Sequence, residues 1–111
     1  MHITKDNIDK FIKGTRMDCS NMDITRLEYI PDGITRLFCY NNKLTELPKL
    51  PESLTRLYCE NNQLTELPKL PESLTSLWCY KNNLPYIVTI ENFKEHNTLL
   101  KRKQILKRIC T

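Results

Sequence analysis

Glycine is scarce in this chain: two residues in 111, too few for a turn-rich β-sandwich. Long apolar runs are missing as well. No stretch approaches about 18 apolar residues, so no bilayer-spanning helix is expected. The opening Met1-His2-Ile3-Thr4-Lys5-Asp6 leads into no apolar segment of the kind a secretory signal needs. Only His2 and His96 could serve as neutral-pH bases. There is no Gly-rich phosphate loop, no zinc-type Cys-x-x-Cys and no His-Glu-x-x-His. These absences argue against an enzyme: no catalytic residue, no metal ligand set and no cofactor are expected. What is present is a balanced composition, 40% hydrophobic and 27% charged, in a length that suits one domain.

Cysteine is the exception to this scarcity. Five cysteines are many for so short a chain, but the number is odd and no export signal accompanies it, which disfavours a disulfide scaffold. Their positions explain them better. Cys19, Cys39, Cys59 and Cys79 recur every 20 residues, with Cys110 apart. Aligning on them gives four units beginning at Gly14, Ile34, Leu54 and Leu74. In the clearest unit, 54–73, the apolar positions are Leu54, Leu57, Cys59, Leu64, Leu67 and Leu70. The second unit matches with Ile34, Leu37, Cys39, Leu44, Leu47 and Leu50, and the fourth with Leu74, Leu77, Cys79, Leu84, Ile87 and Ile90. Four in-phase copies are improbable by chance, and a fixed period decides fold before any local propensity does.

The pattern is L-x-x-L-x-L-x-x-N-x-L with cysteine in the third apolar slot, and it resembles the leucine-rich repeat family. The 20-residue period and the Leu-Pro-x-Leu-Pro segments are similar to the short bacterial type found in effector proteins of enteric pathogens, and to repeats predicted in giant viruses. The resemblance covers residues 14 to about 93 and implies a leucine-rich repeat solenoid, α/β in class. It also implies that the concave sheet face is the protein-binding surface. Some effectors with this repeat carry a C-terminal ubiquitin-ligase domain, which the roughly 20 residues after the fourth unit cannot hold.

Elementary stereochemistry leads to the same architecture. Residues four to six of each unit alternate inward and outward, as a strand requires. Stacked units form a curved parallel sheet of about four strands, roughly 15 Å across at about 4.8 Å per step. Pro48, Pro51, Pro68 and Pro71 forbid a helix on the return path, so the convex side should be extended or polyproline-like. Asn42, Asn62 and Asn82 fall at the ninth position, where an amide can bond the backbone of the turn leaving the strand. In this register the four repeat cysteines point into the core as small, inert hydrophobes.

The ends read as caps, giving an N-terminal capping helix at 1–13, repeats at 14–33, 34–53, 54–73 and 74–93, and a basic C-terminal capping helix at 94–111. Thr4 or Asp6 can cap a helix carrying Ile8, Phe11 and Ile12 on one face, with Gly14 just past its end. Thr89 is a candidate N-cap for the last segment, His96-Asn97 a candidate break, and Leu99, Ile105, Leu106, Ile109 and Cys110 its apolar side.

Two surfaces then stand out. Outward positions of the strands place Phe38, Tyr58 and Trp78 in an aromatic ladder beside Arg16, Arg36 and Arg56, with Tyr40 and Tyr80 extending it. Trp, Tyr and Arg are the residues enriched at binding hot spots. Charge is concentrated elsewhere. Residues 1–90 carry eleven cationic and eleven anionic side chains, so the net +4 comes entirely from residues 91–111. There Lys101, Arg102, Lys103, Lys107 and Arg108 form a basic patch. The leading expectation is a non-enzymatic, intracellular protein–protein interaction module that binds a partner through the aromatic and arginine face. In an effector-like or viral setting the compartment would be a host cytoplasm. The alternatives are nucleic-acid or anionic-surface binding through the basic helix, which is disfavoured, and self-association of a structural repeat protein as a homodimer.

Overall fold

The computed structural model describes the backbone of residues 1–110 and the side chains of residues 1–105. In chain order the strands are β1 (His2–Ile3), β2 (Ile12–Lys13), β3 (Arg16–Asp18), β4 (Arg26–Leu27), β5 (Arg36–Phe38), β6 (Arg56–Tyr58) and β7 (Ser76–Trp78). One α-helix, α1 (Phe93–Cys110), closes the chain. The fold is α/β with parallel-rich sheets and a single C-terminal helix.

Four three-residue strands pair in parallel in the order β3-β5-β6-β7, each offset from the last by 20 residues. Arg16, Arg36, Arg56 and Ser76 align across them, as do Met17, Leu37, Leu57 and Leu77, and Asp18, Phe38, Tyr58 and Trp78. The middle row points inward. Its members belong to one buried core with the four repeat cysteines and with Leu47, Leu50, Leu67 and Leu70 from the return paths. Those paths contain no helix. Pro51 and Pro71 are buried there, where a missing N–H leaves no donor to satisfy.

Threonine and asparagine stitch neighbouring strands together at the strand ends. The hydroxyls of Thr55 and Thr75 donate to the carbonyls of Thr35 and Thr55, 3.0 and 3.1 Å away. At the other end the amide of Asn62 donates to the carbonyls of Cys39 (3.0 Å) and Cys59 (3.1 Å), and its Oδ1 accepts from the N–H of Leu44 (3.0 Å). Asn42 and Asn82 repeat the arrangement one strand earlier and one later.

The N-terminus departs from the expected helix. Residues 4–13 contain a single 3-10 turn, Ile8–Phe11, followed by β2. Thr4 and Asp6 do not cap a helix. Instead Oδ1 of Asn7 accepts from the Thr4 N–H, and its amide donates to the His2 carbonyl, which folds the segment back on itself. Strand β2 then pairs antiparallel with β3, giving the main sheet a fifth strand. An exposed edge needs partners for its N–H and C=O groups, and a strand supplies them where a helix would only cover them. Gly14 has φ +63° and sits first in the two-residue turn of this hairpin, a position that favours glycine in a type II′ turn. The apolar residues still serve the end of the sheet, with Ile8 buried and Phe11 and Ile12 packed on the core. A separate two-stranded parallel sheet joins β1 to β4.

The C-terminal segment also differs in detail. Residues 89–92 form a turn, in which Asn92 Oδ1 accepts from the Thr89 N–H at 2.8 Å and the Asn92 N–H donates to the Thr89 carbonyl. Thr89 therefore lies before the helix rather than at its cap, and α1 runs unbroken through His96 and Asn97. Those two residues fasten it. Asn97 pairs both polar atoms of its amide with the backbone of Leu70, at 2.7 and 2.8 Å. His96 is buried, its Nε2 donating to the Pro68 carbonyl (3.1 Å) and its Nδ1 accepting from the Tyr86 hydroxyl (2.6 Å). The inward face is therefore Phe93, His96, Asn97 and Leu100, while Leu99 and Ile105 of the expected apolar side are exposed. Val88 is buried in place of Ile87, which is 81% exposed, because the fourth unit loses its Leu-Pro-x-Leu-Pro after Leu84-Pro85.

Candidate functional site

Strand alternation that sends Met17, Leu37, Leu57 and Leu77 inward must send their neighbours outward. The outer face of the sheet accordingly carries the aromatic row. Phe38 and Tyr58 are tilted at 54° with ring centroids 5.1 Å apart. Tyr58 and Trp78 are stacked, 4.5 Å apart and within 10° of parallel. Both separations fall in the range where aromatic pairs add to simple burial. The row opens towards β7: Phe38 is buried, Tyr58 half-buried and Trp78 49% exposed. Ser76 Oγ donates to the Tyr58 hydroxyl at 3.2 Å, and the rings are held from the other side by Arg16, whose guanidinium carbon lies 4.8 Å from the Phe38 centroid.

Arg16, Arg36 and Arg56 form the adjoining row, all exposed. Arg16 is tied at 3.2 Å to Asp18, which also accepts from the backbone N–H and the hydroxyl of Ser20. Tyr40 and Tyr80 lie beyond the aromatic row, half-buried and exposed respectively. Together Arg16, Phe38, Tyr40, Tyr58, Trp78 and Tyr80 line a shallow depression of about 400 Å³. Six of the eight expected face residues thus line one depression, while Arg36 and Arg56 are exposed in the adjoining row and are not part of its lining.

Glu60 lies in the same depression, and its burial was not legible in the sequence. It is 5% exposed, and its Oε1 has no hydrogen-bond partner. Burial pushes the carboxyl above its ordinary range, while the residue's own backbone and the Tyr80 hydroxyl pull it back. The signal was an acid flanked by tyrosines at equivalent positions of the neighbouring units, Tyr40 and Tyr80.

The basic segment is arranged differently. Lys101, Arg102 and Lys103 are exposed on α1, while the side chains of Lys107 and Arg108 lie outside the described residues, as do those of Leu106, Ile109 and Cys110. Lys101 lines a groove of about 610 Å³ with Glu46, Glu66 and Lys69, and Lys103 lines a smaller cavity with Glu66. Two acidic side chains of the return paths thus line the same cavities as two of the three described cations.

The cysteines occupy the core. Cys19, Cys39 and Cys59 are wholly buried, and all four described cysteines carry free thiols. Burial is the main cause that raises each of them: Cys19 to about 12, Cys79 to about 11, and Cys39 and Cys59 well above the usual thiol value. A thiol so held has almost no thiolate at neutral pH. Among the described residues no cluster of His, Cys, Asp and Glu is placed to hold a metal ion, and no helix is long and apolar enough to cross a membrane. No protein-family model matches the chain, and no curated protein matches it.

Proposed function

We propose that the chain is a short leucine-rich-repeat solenoid that acts as a non-enzymatic protein-binding module. Its partner docks on the outer, concave sheet face through Phe38, Tyr58 and Trp78, with Tyr40, Tyr80 and the arginines Arg16, Arg36 and Arg56 around them. The observation that carries this reading is the aromatic row, whose exposure rises along the stack until half of Trp78 faces solvent. Stacked rings are already ordered, so a partner gains a rigid apolar anchor without freezing loose side chains. Four free, buried thiols suit a reducing intracellular compartment. Binding of nucleic acid or an anionic surface through Lys101, Arg102, Lys103, Lys107 and Arg108 has less support, because Glu46 and Glu66 line the same cavities as Lys101 and Lys103.

The test replaces Phe38, Tyr58 and Trp78 together with alanine and compares affinity capture from the source cell with wild type. The variant should keep its circular dichroism spectrum and lose a specific captured protein. An unchanged capture profile from a folded variant sinks the reading. Light scattering over a concentration series separates a foreign partner from a second copy of the same chain.

A further inference from the structure

We propose that Glu60, flanked by Tyr40 and Tyr80, forms a recognition pocket for the protonated side-chain amine of a lysine on the partner protein. This inference rests on the protein-binding reading and names the chemistry that the face selects.

The starting point is the orphaned Oε1 of Glu60, on a residue 95% removed from solvent yet lining an open depression. Buried polar atoms without partners are rare, and each calls for an explanation. An ionised carboxylate only accepts hydrogen bonds, so what completes this one is a donor. The surroundings define the donor further. The backbone remains in register at this level: the Asn41 N–H donates to the Glu60 carbonyl at 3.0 Å, and the Asn61 N–H to the Tyr80 carbonyl at 3.1 Å. Tyr40, Glu60 and Tyr80 therefore occupy equivalent places on three successive strands. Neighbouring strands lie about 4.8 Å apart, which sets the backbones of the two tyrosines roughly 10 Å from each other. With rings standing off at that spacing, a cation midway between them comes within about 5 Å of both, inside the reach of cation–π attraction.

The remaining charges on the face leave this place open to a cation. Arg16 is neutralised by Asp18. Arg36 and Arg56 stand four residues back along their strands, roughly 13 Å away, beyond a physiological Debye length of about 8 Å. Lys81 is exposed and free to turn into water. One buried oxygen without a partner suits the point charge and rotatable N–H donors of an ammonium better than the two-pronged fork of a guanidinium. It also selects against a quaternary ammonium, which would satisfy the rings and leave Oε1 buried without a donor.

The experiment is an NMR titration of the full chain with short glycine–serine peptides that differ at one residue: lysine, Nε-acetyl-lysine, Nε-trimethyl-lysine or arginine. The lysine peptide should shift the Trp78 indole N–H and the resonances of Tyr40, Glu60 and Tyr80. Acetyl-lysine should leave them in place, and trimethyl-lysine and arginine should bind more weakly. Glu60→Gln should weaken lysine binding at least about ten-fold while keeping the spectrum of a folded protein, and the exposed Tyr80→Ala provides a second variant. No shifts with the lysine peptide, equal binding to Glu60→Gln, or stronger binding of any other peptide overturns the assignment. Affinity capture separates its failure from that of the wider reading. If the aromatic triple variant loses its partner while the lysine peptide does not bind, the protein-binding face stands and the amine pocket falls. If the lysine peptide binds and the triple variant captures normally, the protein-binding reading is the one that fails.

Discussion

Asn62 and Glu60 are two residues apart, both polar, and both more than nine-tenths buried, yet they stand in opposite situations. Asn62 faces the backbone turns leaving the strands and uses its whole amide, donating to the Cys39, Cys59 and Glu60 carbonyls and accepting from the Leu44 N–H. Glu60 faces the outer side of the sheet and leaves Oε1 without a partner. One side of the sheet is chemically closed and the other is not. Structural polar groups in a folded chain are normally satisfied from within, so the open one is where a partner is expected.

The contrast is broken most severely by Asn62→Ala. The change strands the buried Leu44 N–H, at about 1–3 kcal/mol for a group so left, while the Cys39 and Cys59 carbonyls each keep one donor of two, from Asn42 and Asn82. A loss of about 2 kcal/mol is expected, a sizeable part of the roughly 5–15 kcal/mol that holds a domain of this size together. Urea unfolding of the variant measures it. A loss below about 1 kcal/mol would mean that the asparagine row decorates the turns rather than closing them.

Glu60→Gln tests the opposite side and has the opposite sign. Removing a buried, incompletely bonded charge should stabilise the free protein by about 1 kcal/mol at neutral pH. Because the folded-state carboxyl lies above its unfolded value, the folded chain holds the proton more tightly. Stability from this group is therefore full below the unfolded pKa and is lost as pH rises through the folded one. Wild type should lose stability over that interval, and the glutamine variant should lose correspondingly less. Equal unfolding midpoints for the two proteins throughout would show that the carboxylate is satisfied in solution and would weaken the contrast.

Much of this architecture is legible in the amino-acid sequence, and the exceptions have physical causes. The 20-residue spacing of Cys19, Cys39, Cys59 and Cys79 places the strands in register, because the inward–outward alternation leaves one phase that buries the leucines. The aromatic row follows from the same phase. The N-terminal segment reads as a helix because Ile8, Phe11 and Ile12 at i, i+3 and i+4 satisfy one, and they pack equally well from a 3-10 turn followed by a strand. His96 and Asn97 look like a helix break, since their partners at Pro68 and Leu70 lie 28 and 27 residues earlier in the chain. The burial of Glu60 depends on large neighbours on both adjacent strands, which a single strand's alternation does not reveal.

A smaller effect tests how far the asparagine logic extends. Asn21, Asn41 and Asn61 share a left-handed backbone with φ of 58°, 55° and 56°. Their amides form an exposed chain, Asn41 donating to Asn21 at 2.8 Å and Asn61 to Asn41 at 2.7 Å. Asparagine tolerates this conformation because its short side chain can bond locally. Lys81 holds the same place on the fourth strand, with φ 56° and no amide to continue the chain. Lys81→Asn should therefore stabilise the protein by about 0.5–1 kcal/mol, combining relief of backbone strain with one more amide bond. Lys81→Gly separates the two contributions, since it relieves the strain and adds no bond. If glycine matches asparagine, the exposed chain of amides contributes nothing beyond its backbone geometry, and side-chain closure is confined to Asn42, Asn62 and Asn82. If asparagine exceeds glycine, the exposed row also ties the strands together, and the orphaned Glu60 beside it is the more isolated for that.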